Sequence, residues 1–549
     1  MRVESTWFAH SRKGSNCTVL ALDFANGAAF FNALSARQSA AVESDKPVRY
    51  LNYIAILPET PSRAELLKTW SNGAELNRWQ TELLENWPSD PLPGLHCFEF
   101  ADANIRLTLV FYPLLKALVE IELQADVIDA RGTQLLDVDA AGLICKATLI
   151  AALRQLRPDG VVVLSAISTD LQNTLPALGL EMNLVSKPNC DAIRCAHFRP
   201  GYAPKSMQKI RALPKKIAII GAGIAGLSLA FVLANRAKQS ATLLEITVLE
   251  ARPGPLQATS AAPLVLLHPA SGARDSIEFN LQSHSFRSAI RQLTTLRGSQ
   301  NALWMQAMPV HELRKSGRST RHEGFVIDSQ GLAQALLAAL ANLGVNLRFN
   351  TSVSAINRTD ESVQLSLAES NDEITYDALY VCNARAAETL LPELAGAMDP
   401  ICGQLELLVP NACALNFSYC GALNILPSHS ALAIGNSFEP FVQRSEANER
   451  VRHDLLTRAE ALLNCAGLNR FHQQSWVGIR AQATDRKPII GPYRNGIGLN
   501  LAHGSKGFSS GFLAAEMLTA ALFGDAPVVP ERVRFAVAAD RFTETSELG

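Results

Sequence analysis

The stretch I-A-I-I-G-A-G-I-A-G-L-S-L-A-F-V-L-A, residues 217–234, decides the fold of this chain. It runs for 18 residues without a charge, which is about the length of a membrane-spanning helix. Its interior indicates a different structure, because a short β-branched run (215–220) is typical of a buried parallel strand. G-x-G-x-x-G and an apolar helical segment follow. The pattern therefore predicts a strand, a glycine turn and a helix.

Three glycines in this stretch have the spacing of a dinucleotide-binding turn. Gly221 permits the tight turn, Gly223 lets the backbone approach a pyrophosphate, and Gly226 lets helix and strand pack closely. A second strand follows and ends in Glu250, 24 residues after Gly226. An acidic side chain at this place suits a ribose 2′-hydroxyl and argues against a 2′-phosphate. These residues predict a dinucleotide site, and the alternative is a packing turn with an incidental glutamate.

The length and composition bound the class of protein. A chain of 549 residues predicts two or three domains, and 48% hydrophobic with 18% charged residues is ordinary for a globular protein. The net charge of -1 gives no general attraction for nucleic acid, so an RNA partner needs a local basic patch. The ten cysteines have no zinc-like spacing, so we expect no metal. The N-terminus lacks the apolar core of a signal peptide, so we expect a cytoplasmic protein without membrane contact.

The residues after Glu250 favour a flavin over a nicotinamide cofactor, because they do not continue a simple alternation of strands and helices. Residues 251–269 form a long loop rich in small residues and proline. Residues 324–340 predict a turn into an amphipathic helix, and residues 377–384 predict a buried strand. Near the end of the chain, residues 503–518 form a second glycine-rich turn that opens onto a helix.

This order resembles the glycine-oxidase/D-amino-acid-oxidase family of FAD-dependent flavoproteins, over roughly residues 215–530. The resemblance implies that the first glycine turn binds the ADP half of FAD. It implies further contacts with FAD from Ser260, Ala384, Gly504, Ser505 and Gly507.

A closer resemblance is to one branch of this family, the bifunctional tRNA 5-methylaminomethyl-2-thiouridine biosynthesis proteins. Four motifs recur there in the same order: G-Q (403–404), A-I-G-N-S-F (433–438), W-V-G-I-R-A-Q-A-T-D-R-K-P-I-I-G (476–491) and H-G-S-K-G-F-S-S (503–510). The resemblance implies an FAD-dependent oxidase that removes a carboxymethyl group from the amine of a modified wobble uridine in tRNA. An aminomethyl group would remain, and glyoxylate is the expected by-product.

Two cations in these motifs are predicted to act in the oxidase site. Arg480 matches the position that pairs with the substrate carboxylate in related amine oxidases, a contact that suits a planar guanidinium. Lys506 is predicted to place positive charge beside N1 and O2 of the flavin. The alternatives are an ordinary surface ion pair for Arg480 and an exposed turn residue for Lys506. His268 and Gln404 are candidates either for the site or for packing.

The first 200 residues resemble the class I methyltransferase domain that precedes the oxidase in the same branch. The matching segments are 51–70, 84–96, 125–132 and 152–165. The resemblance implies that this domain would methylate the amine exposed by the oxidase.

The site for S-adenosylmethionine is incomplete in these residues. Of the glycines expected after the first strand only Gly27 is present, and Leu57 replaces the expected ribose-binding carboxylate. Asp129 is retained, but the residues that follow it are Ala130-Arg131-Gly132. We therefore predict a degenerate methyltransferase-like domain that is structural or docks tRNA. An active methyltransferase that binds S-adenosylmethionine is the alternative.

The predicted fold class is α/β: a class I methyltransferase-like Rossmann domain followed by a two-subdomain FAD-binding fold of the glycine/D-amino-acid oxidase type. The predicted boundaries are 1–200 for the first domain, 201–214 for a basic linker, 215–530 for the oxidoreductase domain and 531–549 for a C-terminal tail.

Two basic segments, 199–216 and 314–322, are candidates for contact with tRNA, and the first is alternatively a solvated linker. Two other functions compete with a tRNA oxidase. One is a glycine or D-amino-acid oxidase that acts on a small amine, and the other is a tRNA-binding scaffold that no longer catalyses oxidation. The sequence predicts neither the oligomeric state nor the electron acceptor.

Overall fold

The chain folds into two compact units in the computed structural model, and each is described on its own. The first comprises Met1–Leu213, Lys238–Thr242 and Ala520–Arg532. The second comprises Pro214–Ala237, Leu243–Thr519 and Val533–Gly549. The structure describes residues 16–43, 50–71, 75–88, 91–100, 104–131, 146–164, 169–184, 194–199, 213–298, 302–313, 319–359, 362–368, 373–435, 437–494 and 496–542.

The first unit is built on an eight-stranded sheet in the order β3-β4-β2-β1-β5-β6-β8-β7. Its strands are β1 (Cys17–Ala21), β2 (Leu51–Ile56), β3 (Gly94–Phe100), β4 (Ile105–Phe111), β5 (Ala125–Asp129), β6 (Leu156–Leu164), β7 (Leu180–Leu184) and β8 (Arg194–Phe198). Its helices are α1 (Ala28–Glu43), α2 (Arg63–Ser71), α3 (Arg78–Glu85), α4 (Leu114–Glu120), α5 (Lys146–Leu153) and α6 (Thr169–Thr174).

The centre of this sheet is parallel, and its two ends are antiparallel. Strands β4, β2, β1, β5 and β6 run in one direction, whereas β3 pairs antiparallel with β4 and β8 pairs antiparallel with β6 and β7. Strands β1, β2, β4 and β5 are buried along their whole length, because helices cover both faces of a parallel sheet. Two apolar clusters fill the two faces. The predicted class I methyltransferase-like α/β fold is confirmed.

A short piece near the C-terminus, Ala520–Arg532, belongs to this first unit. Ala526 lies in one of its two apolar clusters, and Asn52 in β2 donates a hydrogen bond of 2.9 Å to the carboxylate of Asp525. From the sequence, this piece was predicted to belong to the end of the oxidoreductase domain (215–530) and to the tail (531–549). Its assignment to the first unit follows from these long-range contacts, which no local pattern reveals.

The second unit contains three sheets. Its strands are β9 (Lys216–Ile220), β10 (Glu245–Leu249), β11 (Leu264–Leu267), β12 (Met305–Leu313), β13 (Ser319–Asp328), β14 (Asn346–Arg348), β15 (Val353–Arg358), β16 (Val363–Leu367), β17 (Glu373–Tyr376), β18 (Ala378–Val381), β19 (Met398–Leu408), β20 (Ser418–Gly421), β21 (Asn424–Pro427), β22 (Leu432–Gly435), β23 (Glu439–Pro440), β24 (His472–Ala483), β25 (Ile489–Arg494) and β26 (Ile497–Leu501). The remaining helices are α7 (Ile224–Gln239), α8 (Ile277–Arg297), α9 (Ser329–Asn342), α10 (Ala387–Leu390), α11 (Glu449–Leu463), α12 (Gly507–Phe523) and α13 (Glu531–Val537).

The two larger sheets form the two predicted subdomains. A six-stranded sheet has the order β14-β10-β9-β18-β26-β25 and is parallel except for β25. A nine-stranded sheet has the order β11-β13-β12-β20-β21-β22-β19-β23, with β24 also paired to β19. The three-stranded sheet β15-β16-β17 is separate. This architecture confirms the predicted two-subdomain oxidase fold.

The opening stretch 217–234 forms a strand, a turn and a helix. β9 ends at Ile220 and α7 begins at Ile224. A helix across the whole stretch is excluded, because the left-handed φ of 104° at Gly221 interrupts it. Across the described part of the chain, no helix combines the length and the hydropathy that a membrane span requires.

A buried carboxylate ties two helices of the second unit together. Glu516 in α12 is fully buried and accepts hydrogen bonds from Ser288 (2.8 Å), Arg291 Nε (3.1 Å) and Gln292 (2.6 Å), all in α8. A charge in this position is stable only while its partners remain, since desolvation otherwise dominates.

We expect Glu516→Ala to lower the free energy of unfolding by about 3–5 kcal/mol, because it removes the buried carboxylate that pairs with the Arg291 cation. Urea unfolding followed by circular dichroism measures this loss. Glu449→Ala is the matched control, since Glu449 is exposed and pairs with Arg452 on the surface of α11, where the expected change is below about 1 kcal/mol. Equal effects of the two substitutions would contradict the structural role of Glu516.

Candidate active site

Two of the three glycines in the turn between β9 and α7 have no room for a side chain. A Cβ atom on Gly226 would lie 1.9 Å from the carbonyl oxygen of Gly221. A Cβ atom on Gly221 would lie 2.9 Å from the carbonyl oxygen of Cys382, at the end of β18. The turn therefore packs backbone against backbone on two sides.

Gly223 differs from these two glycines because space is open above it. A Cβ atom on Gly223 would meet only Ser260 Oγ, at 3.4 Å. That hydroxyl accepts a hydrogen bond of 3.1 Å from the backbone N–H of Ile224, in the first turn of α7. Ser260 thus lies beside the turn, and a ligand has access to the helix N-terminus over Gly223.

Glu250 fastens the end of β10 to the same turn. One carboxylate oxygen accepts a 2.7 Å hydrogen bond from the N–H of Ala222, and the other accepts a 2.9 Å bond from the N–H of Arg252. Glu250 was predicted to bind a ribose, and its contact with the turn was not predicted. A carboxylate oxygen has more than one lone pair, so capacity for a ribose hydroxyl remains.

The late glycine turn packs against the first one. Gly504 has a left-handed φ of 54°, and a Cβ atom on Gly507 would lie 3.4 Å from Ile224 in α7. Asn500 in β26 donates a hydrogen bond of 3.0 Å to the carbonyl of Ala225. The two turns, far apart in sequence, therefore meet beside the N-terminus of α7.

His503 holds the late turn from behind. Its ring nitrogens bond to Asn500 Oδ1 at 2.7 Å and to Ser510 Oγ at 2.8 Å. Burial lowers the pKa of His503 to about 4, so the ring is neutral at physiological pH. Neutral His503 therefore supports the turn that contains Ser505.

Ala384 lies where β18 leaves the six-stranded sheet. Its φ of 53° is left-handed, which is uncommon for a residue other than glycine. The preceding residues, Cys382 and Asn383, are the ones that a Cβ atom on Gly221 would touch. Ala384 thus begins its 3₁₀ turn next to the first glycine turn.

These residues fit a dinucleotide such as FAD. Backbone N–H groups at a helix N-terminus, open space over Gly223 and a carboxylate at the end of β10 are the features that a pyrophosphate and a ribose require. The predicted cofactor residues are gathered at the carboxyl ends of parallel strands, the usual place for a ligand in such a sheet.

Arg480 lies on β24 and covers the neighbouring strand. A Cβ atom on Gly403 would lie 2.1 Å from Arg480 Nη2. Among the described residues its guanidinium has no carboxylate partner, and its one hydrogen bond is a long 3.5 Å contact with the carbonyl of Ser437. Burial lowers the pKa of Arg480, yet an arginine stays charged. The structure therefore presents a recessed cation without a described counter-ion.

A hydrogen bond brings Arg480's strand to the cofactor segment. Thr259 Oγ1 donates to the carbonyl oxygen of Ile479, the residue before Arg480. Thr259 directly precedes Ser260, which contacts the first turn of α7. The candidate cofactor site and the candidate carboxylate site are thereby adjacent.

Lys506 in the late glycine turn lies next to His268. Lys506 Nζ lies 3.3 Å from His268 Nε2, and His268 Nδ1 donates to the carbonyl of Pro269 at 2.9 Å. Burial and the Lys506 cation lower the pKa of His268 to about 4, so the ring is neutral and its Nε2 accepts a hydrogen bond from the ammonium. Burial also lowers the pKa of Lys506, although its side chain is accessible from a recess.

That recess has a volume of about 330 Å³. Its lining residues are Phe438, Gln482, Arg486, His503, Gly504, Ser505 and Lys506. Lys506, which is exposed, therefore lines this recess together with His503 and Ser505.

Two residues of the nine-stranded sheet, one near Lys506 and one near Arg480, were not predicted from the sequence. Glu312 in β12 accepts a 2.7 Å hydrogen bond from Ser271 and lies 3.5 Å from His322 Nε2 in β13. Trp476, four residues before Arg480, points to the same face of β24. Side chains alternate between the two faces of a strand, so the sequence could have placed Trp476 on the same face as Arg480. A strand assignment alone does not reveal which of the two faces lies over the site.

Gln404 lies on the opposite face and belongs to packing. It is fully buried, its amide oxygen accepts hydrogen bonds from Arg444 and the N–H of Asn448 at 2.9 Å each, and it donates to Glu406 at 2.6 Å. These bonds anchor the start of α11, which Asn448 caps.

In the first unit, the retained acid after β5 already has a partner. Asp129 is buried, and its two oxygens accept hydrogen bonds of 2.8 Å from Nε and Nη2 of Arg131. Arg131 thus occupies both oxygens of the one acidic residue that the sequence comparison retained.

The turn after β1 is filled by aromatic side chains. A Cβ atom on Gly27 would lie 2.8 Å from the ring of Phe31, and Trp70 donates a hydrogen bond of 2.8 Å to the carbonyl of Asn26. Phe31 and Trp70 pack edge to face with their ring centroids 5.4 Å apart. Protein side chains therefore contact the turn at this end of β1.

The basic segments lie largely outside the described residues. Within 199–216, residues 200–212 are not described, and neither are residues 314–318 of the second segment. Among the described residues, no group of three or more His, Cys, Asp and Glu is placed to hold a metal ion.

Comparison with known families and structures agrees with this geometry. Residues 216–308 and 296–521 match the family described as DAO, FAD dependent oxidoreductase. Glycine oxidase from Geobacillus kaustophilus superposes with a TM-score of 0.52 at 18% identity, covering 60% of this chain and 98% of that one. L-proline dehydrogenase from P. horikoshii has a TM-score of 0.50 at 13% identity, covering 61% and 99%. These likenesses concern the fold.

Curated relatives match over nearly the whole chain, and their name is "tRNA 5-methylaminomethyl-2-thiouridine biosynthesis bifunctional protein MnmC". The protein from Hydrogenovibrio crunogenus is 25% identical over 90% of this chain and 84% of its own length. The protein from Hahella chejuensis is 23% identical over 98% and 92%. The protein from Burkholderia orbicola (strain MC0-3) is 26% identical over 86% and 78%.

Two alanine substitutions separate cofactor binding from folding of the turn. In Gly223→Ala the methyl group has space in the protein, so stability without cofactor should change by no more than about 0.5 kcal/mol. FAD affinity should fall about tenfold or more, because the methyl occupies the approach of the pyrophosphate. Gly226→Ala should cost about 1–3 kcal/mol even without cofactor, because its methyl clashes with backbone. Urea unfolding of the cofactor-free chain and FAD titration measure the two effects, and a Gly223→Ala protein that binds FAD normally would contradict the assignment.

Proposed function

This chain belongs to the DAO family of FAD-dependent oxidoreductases, and we propose that the substrate it oxidises is a tRNA. The substrate is 5-carboxymethylaminomethyl-(2-thio)uridine at the wobble position, and the reaction removes the carboxymethyl group. The relatives named for this pathway match the N-terminal unit as well as the oxidase unit, which favours a tRNA substrate over a free amino acid. The single observation that carries the proposal is the recessed Arg480 guanidinium beside the cofactor segment.

The reaction is oxidation of a C–N bond followed by hydrolysis. Bound FAD supplies the two-electron acceptor for the hydride that leaves the carboxymethyl carbon. The nitrogen lone pair forms the imine, water adds to its carbon, and the C–N bond breaks. The products are glyoxylate and the primary aminomethyl nucleoside, so atoms and electrons balance.

Arg480 supplies the charge that orients the substrate. A planar guanidinium binds a carboxylate through two parallel hydrogen bonds, and this one makes no ion pair with a described residue. Binding the carboxylate there fixes the adjacent carbon, from which hydride leaves. Orientation of this kind is what the protein contributes in flavin chemistry.

Lys506 provides a second positive charge, next to His268. The Lys506 ammonium donates a hydrogen bond to Nε2 of neutral His268, which orients the ammonium without cancelling its charge. We propose that Lys506 stabilises negative charge on the flavin N1–O2 edge, and that Gly504, Ser505 and Gly507 bring backbone N–H groups to the same ring. The first turn, Glu250, Ser260 and Ala384 hold the rest of FAD.

We also propose that the first unit, roughly residues 1–200, is a degenerate methyltransferase-like domain that serves in structure or in tRNA docking. The aromatic contacts at Gly27 support this proposal, because they lie in the turn where S-adenosylmethionine needs open backbone, and Arg131 adds a cation that binds the one retained acid, Asp129. A basic linker, 201–214, separates this domain from the oxidase domain that begins near residue 215. The protein is expected to act in the cytoplasm, where tRNA is modified.

A small-amine oxidase is the second candidate, because the fold of the second unit is that of a glycine oxidase. A catalytically silent tRNA scaffold is a weaker one, since the turn, Glu250 and Arg480 are all intact.

Incubating the purified chain with tRNA that carries the carboxymethylaminomethyl group, with and without S-adenosylmethionine, tests these proposals together. We expect the aminomethyl nucleoside and glyoxylate in both reactions. A methylated product would overturn the degenerate assignment of the first unit. Unchanged tRNA together with peroxide formed from glycine would favour the small-amine oxidase, and no oxidation of either substrate would favour the scaffold.

Substitution of Arg480 tests its role in carboxylate binding. Arg480→Lys keeps the charge but loses the planar two-bond contact, so kcat/KM for the modified tRNA should fall about 10- to 100-fold, and Arg480→Gln should cost more. Arg494→Lys is the control, because Arg494 is half exposed and pairs with Glu393 at the surface. Steady-state rates at equal FAD content measure the change. Normal kcat/KM in Arg480→Gln would exclude the proposed role.

A further inference from the structure

Two side chains cover one pair of glycines in the nine-stranded sheet. Gly403 in β19 and Gly478 in β24 lie directly opposite each other. A Cβ atom on Gly403 would lie 2.1 Å from the Arg480 guanidinium, and a Cβ atom on Gly478 would lie 2.2 Å from the Trp476 ring. Arg480 and Trp476 therefore lie flat on the same face of the sheet, over neighbouring positions.

The distance between these two groups follows from the pairing. Residues directly opposite in an antiparallel pair have Cβ positions about 5 Å apart. The guanidinium lies over the first of these positions and the indole over the second, so the two groups are neighbours on this face. The sheet thus presents a cation and an aromatic plane next to each other.

Trp476 retains accessible surface after covering Gly478. Gly478 is buried, whereas Trp476 is half-buried, and its indole N–H donates to no described residue. Arg480 likewise has no described carboxylate partner. Both groups are consequently available to a ligand that lies against this face.

A carboxymethylamine attached to a pyrimidine has matching dimensions. Between its carboxylate carbon and C5 of the ring stand a methylene, the nitrogen and a second methylene. These four bonds of about 1.5 Å span roughly 5 Å when extended. A carboxylate on Arg480 therefore brings the ring to Trp476, with the carbon that is oxidised between the two.

We propose that Trp476 is the stacking platform for the uracil ring of the substrate, and that Trp476 with Arg480 selects a carboxymethylamine that carries a planar ring. Proteins bind unpaired RNA bases by stacking them on aromatic side chains. This inference rests on the proposed function and adds a nucleobase subsite to it. Glycine occupies the carboxylate half of the pair alone, which gives the site a physical reason to prefer the nucleoside.

The test compares Trp476→Leu and Trp476→Phe with a matched tryptophan. Trp304 is the control, because it also lies half-buried over a glycine, Gly331 of α9, but not beside Arg480. Loss of one base–aromatic stack should lower kcat/KM for the modified tRNA about 10- to 100-fold in Trp476→Leu. Trp476→Phe should retain much of the activity, and Trp304→Leu should leave kcat/KM within about twofold of the wild type.

A second measurement separates stacking from general damage to the site. Acetate binding to Arg480, followed through the flavin absorption spectrum, should keep the same Kd in Trp476→Leu. Binding of the modified anticodon stem-loop, followed by fluorescence anisotropy, should weaken about 10- to 100-fold. Equal losses of acetate and RNA binding would assign Trp476 to packing over Gly478 and overturn the inference.

The outcome also separates this inference from the function on which it rests. If the wild-type chain leaves the modified tRNA unchanged, the proposed function fails and the nucleobase subsite fails with it. If the wild type oxidises the tRNA and Trp476→Leu does so with the same kcat/KM, only the subsite is wrong.

Discussion

The second unit depends on the close approach of α7 to the turn that follows β9. A Cβ atom at Gly226 would stand 1.9 Å from the carbonyl of Gly221, so the helix reaches this position only because both residues are glycine. Glu250 then closes the turn from β10 through the N–H of Ala222. The N-terminus of α7, the Glu250 carboxylate and the late turn at Gly507 all meet here. The positions of these groups therefore depend on the contact between Gly226 and Gly221.

The first unit is also built on a largely parallel sheet, but the turn after its first strand is crowded by side chains. Its sheet places β1 and β5 side by side, and a cofactor site would lie at their carboxyl ends. There the Asp129 carboxylate is bonded to Arg131, and the ring of Phe31 crowds Gly27. The two units therefore differ in whether backbone or side chains occupy the turn, although each is built on a largely parallel sheet.

The cofactor turn could be predicted from the sequence because its determinants are local. Gly221, Gly223 and Gly226 act within one strand, one turn and one helix, and Glu250 ends the next strand. The nucleobase platform could not be predicted in the same way, since Trp476 acquires its place from the pairing of β24 with β19. That pairing joins segments far apart in the sequence, and only its register puts Gly478 opposite Gly403.

The sequence by itself determined the α/β class, the two-part organisation and the first glycine turn, because strand and helix periods and glycine spacing are properties of short segments. The tertiary structure decided which side chains share the oxidase face: it placed Lys506 against His268, left Arg480 without a described carboxylate and turned Gln404 toward α11. It also assigned Ala520–Arg532 to the first unit. Sheet register and long-range packing set these neighbours, and neither is encoded in any single stretch of the chain.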